Sequence, residues 1–182
     1  MIRMWRLLAL PFFLGLLFLA AYLYYYLGGY KPVVVNLVDQ PELQTVYRPH
    51  RGAYHQINTV ISEVETWAKA HQIPCSKTFG EYLNNPQQVE QSRLKSNGGC
   101  ILEAALQIQD LPEHFIKGTI PAGRYVHATF AGSPAIGPWK VYPKLSDFMA
   151  EKTLQTSTTS IEVYTIEDDG KMTTDYFLPV IK

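Results

Sequence analysis

The sequence predicts an α+β fold in which duplicated strand–helix–strand–strand units place two main helices on one antiparallel sheet, preceded by one transmembrane helix. Three observations predict it: an uncharged apolar run near the amino terminus, an internal duplication, and an apolar stripe at helical spacing in each half. We expect a transmembrane anchor at residues 1–30, a connector at 31–43 and a single domain at 44–182, a usual size for one core.

The apolar run is LLALPFFLGLLFLAAYLYYYL, residues 7–27, which is long enough to cross a bilayer as a helix. The alternative is a cleaved signal peptide, although the apolar region of a signal peptide is normally shorter. Arg3 and Arg6 precede the run and Lys31 follows it, which favours an extracytoplasmic (periplasmic) domain but leaves a cytosolic one open. The expected localisation is therefore a membrane, through a single-pass N-terminal anchor.

The internal duplication relates residues 44–86 to residues 124–165. Each copy opens with a β-rich segment, reaches a glycine (Gly52 or Gly132), continues into an amphipathic helix and ends in a second β-rich segment. The shared order predicts two copies of one supersecondary unit.

Each copy contains apolar residues at three- or four-residue steps, which is typical of an amphipathic helix. The first stripe consists of Tyr54, Ile57, Val60 or Ile61, Val64 and Trp67. In the second copy Ser133 is the candidate cap, Pro134 suits the first helical position, and Gly137–Pro138 can delay the regular helix. The stripe that follows consists of Trp139, Tyr142, Leu145, Phe148 and Met149.

Strands are predicted where β-forming residues run together and end at turn signals. The clearest is SIEVYTI, residues 160–166, and residues 100–108 and 173–180 are further candidates. We interpret residues 111–123 as a loop. Val33–Val35 can either pair as a strand or continue out of the membrane interface.

The two cysteines, Cys75 and Cys100, are predicted to be free, partly buried thiols. We expect them towards opposite ends of a hairpin, where the geometry of a disulfide would not let them join. Two cysteines are also too few for a disulfide framework.

The charge balance argues against nucleic-acid binding. Lys+Arg and Asp+Glu both number 16, and the sequence contains no basic cluster, zinc-finger spacing or helix-turn-helix candidate. The five histidines show no close metal-ligand spacing, and no Ser-His-Asp set, phosphate-binding loop or dinucleotide fingerprint can be assembled. We therefore expect no metal, no cofactor and no nucleic-acid partner.

Five motifs, in order along the chain, carry a family resemblance. They are PHRGAYHQINTVISEVETWAKAHQI (49–73), YLNNP (82–86), IPAGRYVHATF (120–130), IEVY (161–164) and FLPV (177–180). The set resembles the gyrase-inhibitor-like (GyrI-like), or AraC effector-binding, domains over nearly the whole chain after residue 43. With the apolar helix in front, it also resembles a membrane-anchored variety that includes an autophagy receptor of the endoplasmic reticulum. The tail of that receptor has no counterpart here, so neither its role nor its orientation is carried over.

The resemblance implies a pseudo-twofold sheet with a central cleft that binds small, often cationic, amphipathic molecules. It also implies that a glutamate of the second repeat lies at the centre of the cleft, surrounded by aromatic side chains. Glu162 is the matching position of this sequence.

The residues around Glu162 allow the same expectation on chemical grounds. Glu162 and Tyr164 are two apart on a strand and project from one face, and a carboxylate beside a phenol suits an organic cation. The pair also suits catalysis, with a desolvated glutamate as general base, while the plain alternative is a glutamate on a wet face. Glu81 is expected on the opposite face of the sheet. The predicted ligand-binding residues are Glu162, Tyr164, Tyr82, Trp139, Tyr125 and Tyr142, of which Glu162 and Tyr164 are also the candidate catalytic residues.

Three functions are compatible with these features. The first is a membrane-tethered domain that senses or sequesters a small amphipathic, possibly cationic, molecule in an aromatic cleft. The second is a hydrolase of reactive small molecules that uses Glu162 with a tyrosine or tryptophan. The third is a membrane scaffold that recruits a protein partner. The expected partners are thus a small amphipathic molecule and, through residues 7–27, a membrane.

Overall fold

The computed structural model describes residues 2–103, 108, 110–167 and 170–181, and of residues 2–10 only the backbone. Within these residues the α-helices are α1 (Ile2–Tyr26), α2 (Ile57–Ala70) and α3 (Gly137–Lys152). The strands are β1 (Val34–Gln40), β2 (Leu43–Arg51), β3 (Lys77–Tyr82), β4 (Lys95–Leu102), β5 (Ile116–Ile120), β6 (Gly123–Phe130), β7 (Ser160–Ile166) and β8 (Met172–Pro179).

The eight strands form one antiparallel sheet in the order β1-β6-β8-β7-β3-β4-β2-β5. The order is symmetric about its centre: β2, α2, β3 and β4 of one half correspond to β6, α3, β7 and β8 of the other. The predicted α+β fold with an antiparallel sheet is therefore confirmed. The two halves meet where β3 pairs with β7, and Gly80 lies directly opposite Glu162 in that pair.

Both domain helices cover the same face of the sheet. Isoleucine and valine side chains of α2 lie against Gly98 of β4. Val141 and Leu145 of α3 pack on a cluster that includes Tyr176 of β8. Since Gly98 pairs with Gly80 and Tyr176 with Glu162, these positions share one side of the pleat. Glu162 therefore faces the helices.

The predicted stripe of the first helix is confirmed, since the buried residues of α2 are Ile57, Val60, Ile61, Val64 and Ala68. The second stripe is confirmed except for Trp139: α3 begins at Gly137 and buries Gly137, Val141 and Leu145, and Tyr142, Phe148 and Met149 pack against the same cluster. Trp139 precedes Val141 by two residues and so points away from the sheet, with 83% of its side chain exposed.

Two segments that the sequence analysis assigned to a loop and to a connector contain strands of the sheet. Residues 111–123, interpreted as a loop, contain β5, which pairs with β2. Residues 31–43 contain β1, which pairs with β6 along its whole length and lies ahead of the predicted domain start at residue 44. Strand β4 ends at Leu102, and residues 104–107 of the candidate strand 100–108 lie outside the described residues.

The prediction of free cysteines is wrong, because Cys75 and Cys100 form a disulfide with their Cα atoms 5.5 Å apart. Strand β4 returns antiparallel to β3, so that Cys100 lies opposite Thr78. Cys75 comes just before β3 begins, so both cysteines lie at the open end of the hairpin, within disulfide distance.

The predicted membrane anchor is also wrong. In the part of the chain that the structure describes, no helix has both the length and the apolar character that crossing a bilayer requires. The C-terminal part of α1 is rich in tyrosine, whose hydroxyl groups make it less apolar than the leucine-rich part before it. This finding overturns the anchor at residues 7–27 and the single-pass localisation that depended on it.

Candidate functional site

A cavity of about 1040 Å³ opens between the N-terminal ends of α2 and α3, above the central strands β3 and β7. Its floor includes Tyr82 of β3 and Glu162 of β7, and one wall carries Tyr142 of α3. The two repeats therefore enclose the cavity from opposite sides.

The centre of the floor is the carboxylate of Glu162, whose side chain is buried with 5% exposure. The hydroxyl of Tyr142 donates to Oε1 at 3.0 Å, and the hydroxyl of Tyr164 donates to Oε2 at 3.0 Å. Each carboxylate oxygen thus has a phenol as partner. Neither phenol supplies a positive charge.

The phenols extend the hydrogen-bond network across both repeats. The hydroxyl of Tyr82 lies 3.0 Å from that of Tyr164, and the hydroxyl of Tyr142 also lies 3.0 Å from Ser160 Oγ. The ring of Tyr54 meets that of Tyr82 edge-on, with centroids 4.8 Å apart. One buried acid is therefore surrounded by aromatic rings, and the hydroxyl groups of Tyr82, Tyr142 and Tyr164 form a network with it.

Gly80 provides the space for this network. It occupies the position in β3 that corresponds to Glu162 in β7. A Cβ atom at Gly80 would lie 3.0 Å from the hydroxyl of Tyr82 and 3.2 Å from Cδ1 of Ile57, both closer than ordinary contacts. The symmetric fold therefore holds a single carboxylate at its centre, with room above it. Sequence reasoning missed this residue, although glycine inside a strand is a signal of close approach.

Burial sets the electrostatics of the site. Desolvation raises the pKa of Glu162 to about 7, and the hydrogen bonds from Tyr142 and Tyr164 only partly offset it. Desolvation and the neighbouring carboxylate also raise the pKa values of Tyr142, Tyr164 and Tyr82, which therefore stay neutral donors. At neutral pH the site holds a carboxyl group poised between its charged and neutral forms.

The opposite wall, formed by the segment after β3, is polar. The hydroxyl of Tyr54 donates to the backbone carbonyl of Asn84 at 2.8 Å and accepts from the Asn84 backbone N–H at 3.0 Å. Oδ1 of Asn84 accepts from the Lys95 backbone N–H at 2.8 Å, and Oδ1 of Asn85 accepts from the Gln87 backbone N–H at 2.9 Å. These bonds fix both carboxamides at the edge of the cavity, which they line.

The structure brings most of the predicted site residues together. The cavity is lined by Glu162, Tyr164, Tyr82, Tyr142 and, at its exposed rim, Trp139. Their role in binding stays a prediction.

Tyr125 does not belong to this group. Its neighbours Val126 and Ala128 pack in the core with α3, so Tyr125 and Ala128 lie on opposite faces of the sheet. Its hydroxyl donates to the Pro121 carbonyl at 2.8 Å, and its ring packs edge-on against Phe177. The prediction that Tyr125 lies near Glu162 is therefore wrong.

Glu81 lies on the far face, as its strand position indicated. It pairs with Ile161 in the register, and its Oε2 accepts from Asn97 Nδ2 at 2.7 Å. His127 makes a hydrogen bond of 2.9 Å to Asp175. Within the described residues, no group of histidine, cysteine, aspartate or glutamate side chains is arranged to hold a metal ion.

Solved structures share this fold at low sequence identity. The C-terminal domain of EcmrR matches with a TM-score of 0.63 at 14% identity, over 84% of this chain and 99% of that chain. SAV2435 bound to tetraphenylphosphonium matches with a TM-score of 0.55 at 11% identity, over 81% and 94%. A hydrolase from Listeria innocua matches with a TM-score of 0.54 at 12% identity, over 81% and 91%. At such identities the likeness shows the fold alone.

No curated protein matches the chain, so the narrower resemblance to the membrane-anchored autophagy receptor has no support. A family match, in contrast, covers residues 34–181, which is the whole sheet with α2 and α3. It begins where β1 begins. The chain therefore belongs to the GyrI-like small-molecule-binding domain family.

Proposed function

We propose that the domain binds an amphipathic organic cation in the cavity, with the Glu162 carboxylate as its counter-charge. The observation that carries the proposal is a carboxylate buried on the cavity floor whose hydrogen-bond partners are phenols. A buried carboxylate is costly unless it is paired, and a cation that enters the cavity would provide the pair.

The surrounding rings suit the same ligand class. A cation above the face of a tyrosine or tryptophan gains about 0.5–2 kcal/mol, most where water is excluded. Tyr54, Tyr82 and Trp139 line the cavity around the acid. The cavity of about 1040 Å³ is also large enough for a drug-sized molecule.

A structure of the same fold supports this choice of ligand. SAV2435 is described as bound to tetraphenylphosphonium, a lipophilic aromatic cation. The cavity of the present chain places an acid among aromatic rings, an environment that suits a cation of this kind.

The proposal is tested by calorimetric titration of tetraphenylphosphonium into the wild-type protein and the Glu162→Gln variant at pH 8. We expect the variant to bind at least about tenfold more weakly, because a neutral amide cannot pair with the cation. Glu81→Gln is the matched control, since it removes a carboxylate from the neighbouring strand but on the opposite face. Equal affinity in all three proteins would contradict the proposal.

A second candidate function, hydrolysis of a reactive small molecule, is favoured by the pKa of Glu162. A general base works best when its pKa is near the operating pH, and burial raises the pKa of Glu162 to about 7. The hydroxyl of Tyr164, 3.0 Å away, is a donor for a developing anion. Turnover of a panel of strained or activated electrophiles that is lost in Glu162→Gln and kept in Glu81→Gln would support this function. No turnover over a wide panel would reject it.

A further inference from the structure

The cavity is chemically two-sided. The phenols and Glu162 form one side, and the segment after β3 brings carboxamide side chains to the other. Asn84 and Asn85 are the two whose orientation the hydrogen bonds fix.

The orientation of these amides follows from their partners. The Lys95 and Gln87 backbone N–H groups need acceptors, and in a carboxamide only the oxygen accepts. The side-chain oxygens of Asn84 and Asn85 therefore already accept backbone hydrogen bonds. Each side chain can still donate to a ligand through its two N–H groups. Tyr54 further fixes the backbone of Asn84 through both its N–H and its C=O.

The donors lie at a distance from the acid. A strand advances about 3.3 Å per residue, so Tyr82, where β3 ends, lies about 7 Å along the strand from Gly80, which is opposite Glu162. Asn84 follows two residues later, which places it on the order of 10 Å from Gly80 along the chain direction. A ligand that reaches both groups must be elongated.

We propose that the ligand is bipartite: an organic cation that carries a hydrogen-bond acceptor, such as a carbonyl, ether or hydroxyl oxygen, on the order of 10 Å from its charge. Asn84 and Asn85 select it by donating to that oxygen, while Glu162 pairs with the charge. The inference rests on the proposed cation binding and adds a requirement that a purely hydrophobic cation does not meet. Asn84 and Asn85 are half-buried, so a bound ligand would cover their N–H donors. A donor that is covered without an acceptor weakens binding, so the cavity discriminates against ligands that lack the oxygen.

The test compares two ligands that differ only in the acceptor: decyltrimethylammonium, and the same cation with a ketone oxygen near the far end of its chain. In the wild-type protein we expect the ketone to bind about fivefold more tightly, which corresponds to one net hydrogen bond of about 1 kcal/mol. Calorimetry at pH 8 gives the ratio of the two dissociation constants.

The substitutions Asn84→Asp and Asn85→Asp identify the donors. Aspartate keeps the oxygen that accepts from the Lys95 or Gln87 backbone, but it loses the N–H donors. The added negative charge strengthens binding of both cations alike, so the ratio between the ligands isolates the donor. We expect the ratio to fall to about one in at least one of the two variants. Asn36→Asp, on edge strand β1, is the control with the same change of charge and should keep the wild-type ratio.

The outcomes separate this inference from the proposed function. Equal affinity of the two cations for the wild-type protein, with both weakened by Glu162→Gln, would overturn the bipartite ligand and leave cation binding in place. A ketone preference that survives in both aspartate variants would overturn the assignment to Asn84 and Asn85. Binding that is insensitive to Glu162→Gln would remove the proposed function itself. The relative affinity of the two cations for the wild-type protein tests the bipartite ligand even if a variant fails to fold.

Discussion

At the scale of single residues, the protonation of Glu162 determines what the cavity can bind. Its pKa is raised by burial to about 7, and no lysine or arginine is among the causes that shift it. The donors that hold the carboxylate, Tyr142 and Tyr164, themselves have raised pKa values, so they remain protonated. A small change of pH near neutrality therefore changes the charge at the cavity floor.

The same pKa predicts how stability depends on pH. The folded state holds the Glu162 proton more tightly than the unfolded state, whose pKa is near 4.5. The stabilising contribution is complete below about pH 4.5 and is lost as the pH rises through about 7, a loss of about 3 kcal/mol. Glu162→Gln has no proton to lose, so its free energy of unfolding should fall less over this range.

Urea denaturation of both proteins from pH 5 to pH 8 measures this difference. Glu81→Gln, which removes a carboxylate from the opposite face of the sheet, is again the control for the loss of one acid. Parallel profiles for Glu162→Gln and the wild type would show that the carboxyl group is not buried as described.

Gly80 gives a second prediction at this scale. In Gly80→Ala the new methyl group would lie 3.0 Å from the Tyr82 hydroxyl and 3.2 Å from Ile57 Cδ1. We expect a loss of about 1–3 kcal/mol of stability, since overpacking forces neighbours to move, and weaker cation binding because Tyr82 shifts. Gly123→Ala is the matched control, since its methyl group would meet Tyr125 at an ordinary 3.7 Å. Thermal unfolding and calorimetric titration of both variants check the prediction, and identical behaviour of the two would refute it.

At the scale of elements, the disulfide holds together the hairpin that carries the polar wall. Cys75 and Cys100 are 25 residues apart in sequence, and the loop that they close contains β3 with Tyr82 and the segment with Asn84 and Asn85. A cross-link that closes a loop of this length stabilises a protein by about 3 kcal/mol. The same cross-link limits the movement of one wall of the cavity.

We therefore expect the double variant Cys75→Ala and Cys100→Ala to lose about 3 kcal/mol of stability. Backbone amides from Tyr82 to Gln88 should also exchange hydrogen faster, while those of β6 and β8 in the other repeat should keep their rates. Denaturation and hydrogen exchange of the oxidised wild type and the double variant provide the measurement. Unchanged stability, or faster exchange spread evenly over both repeats, would contradict this role.

At the scale of the whole molecule, the duplicated fold is what creates the site. The symmetric strand order places β3 beside β7, so that one acid from the second repeat and one glycine from the first meet at the centre. The helices α2 and α3 flank this centre and leave the cavity between their N-terminal ends. Neither repeat alone has both walls.

Local patterns predicted the parts of the fold that depend on local periodicity. The stripe of Ile57, Val60 and Val64 follows the helical period, and the alternation of side chains along the strand predicted that Glu162 and Tyr164 share one face. The features that were missed depend on contacts between distant segments. The Cys75–Cys100 disulfide requires the β3–β4 register, β5 requires its pairing with β2, and the face of Tyr125 requires the contact between β6 and α3.

The most direct test of the central claim is the number of protons released when tetraphenylphosphonium binds, measured by calorimetry at pH 7 in buffers of different ionisation enthalpy. A cation paired with Glu162 lowers the pKa of that carboxyl, which is about half protonated at this pH in the free protein, so we expect release of about half a proton per site. The Glu162→Gln variant should release none. Binding of the cation to the wild-type protein without proton release, or equal release by the variant, would contradict the account.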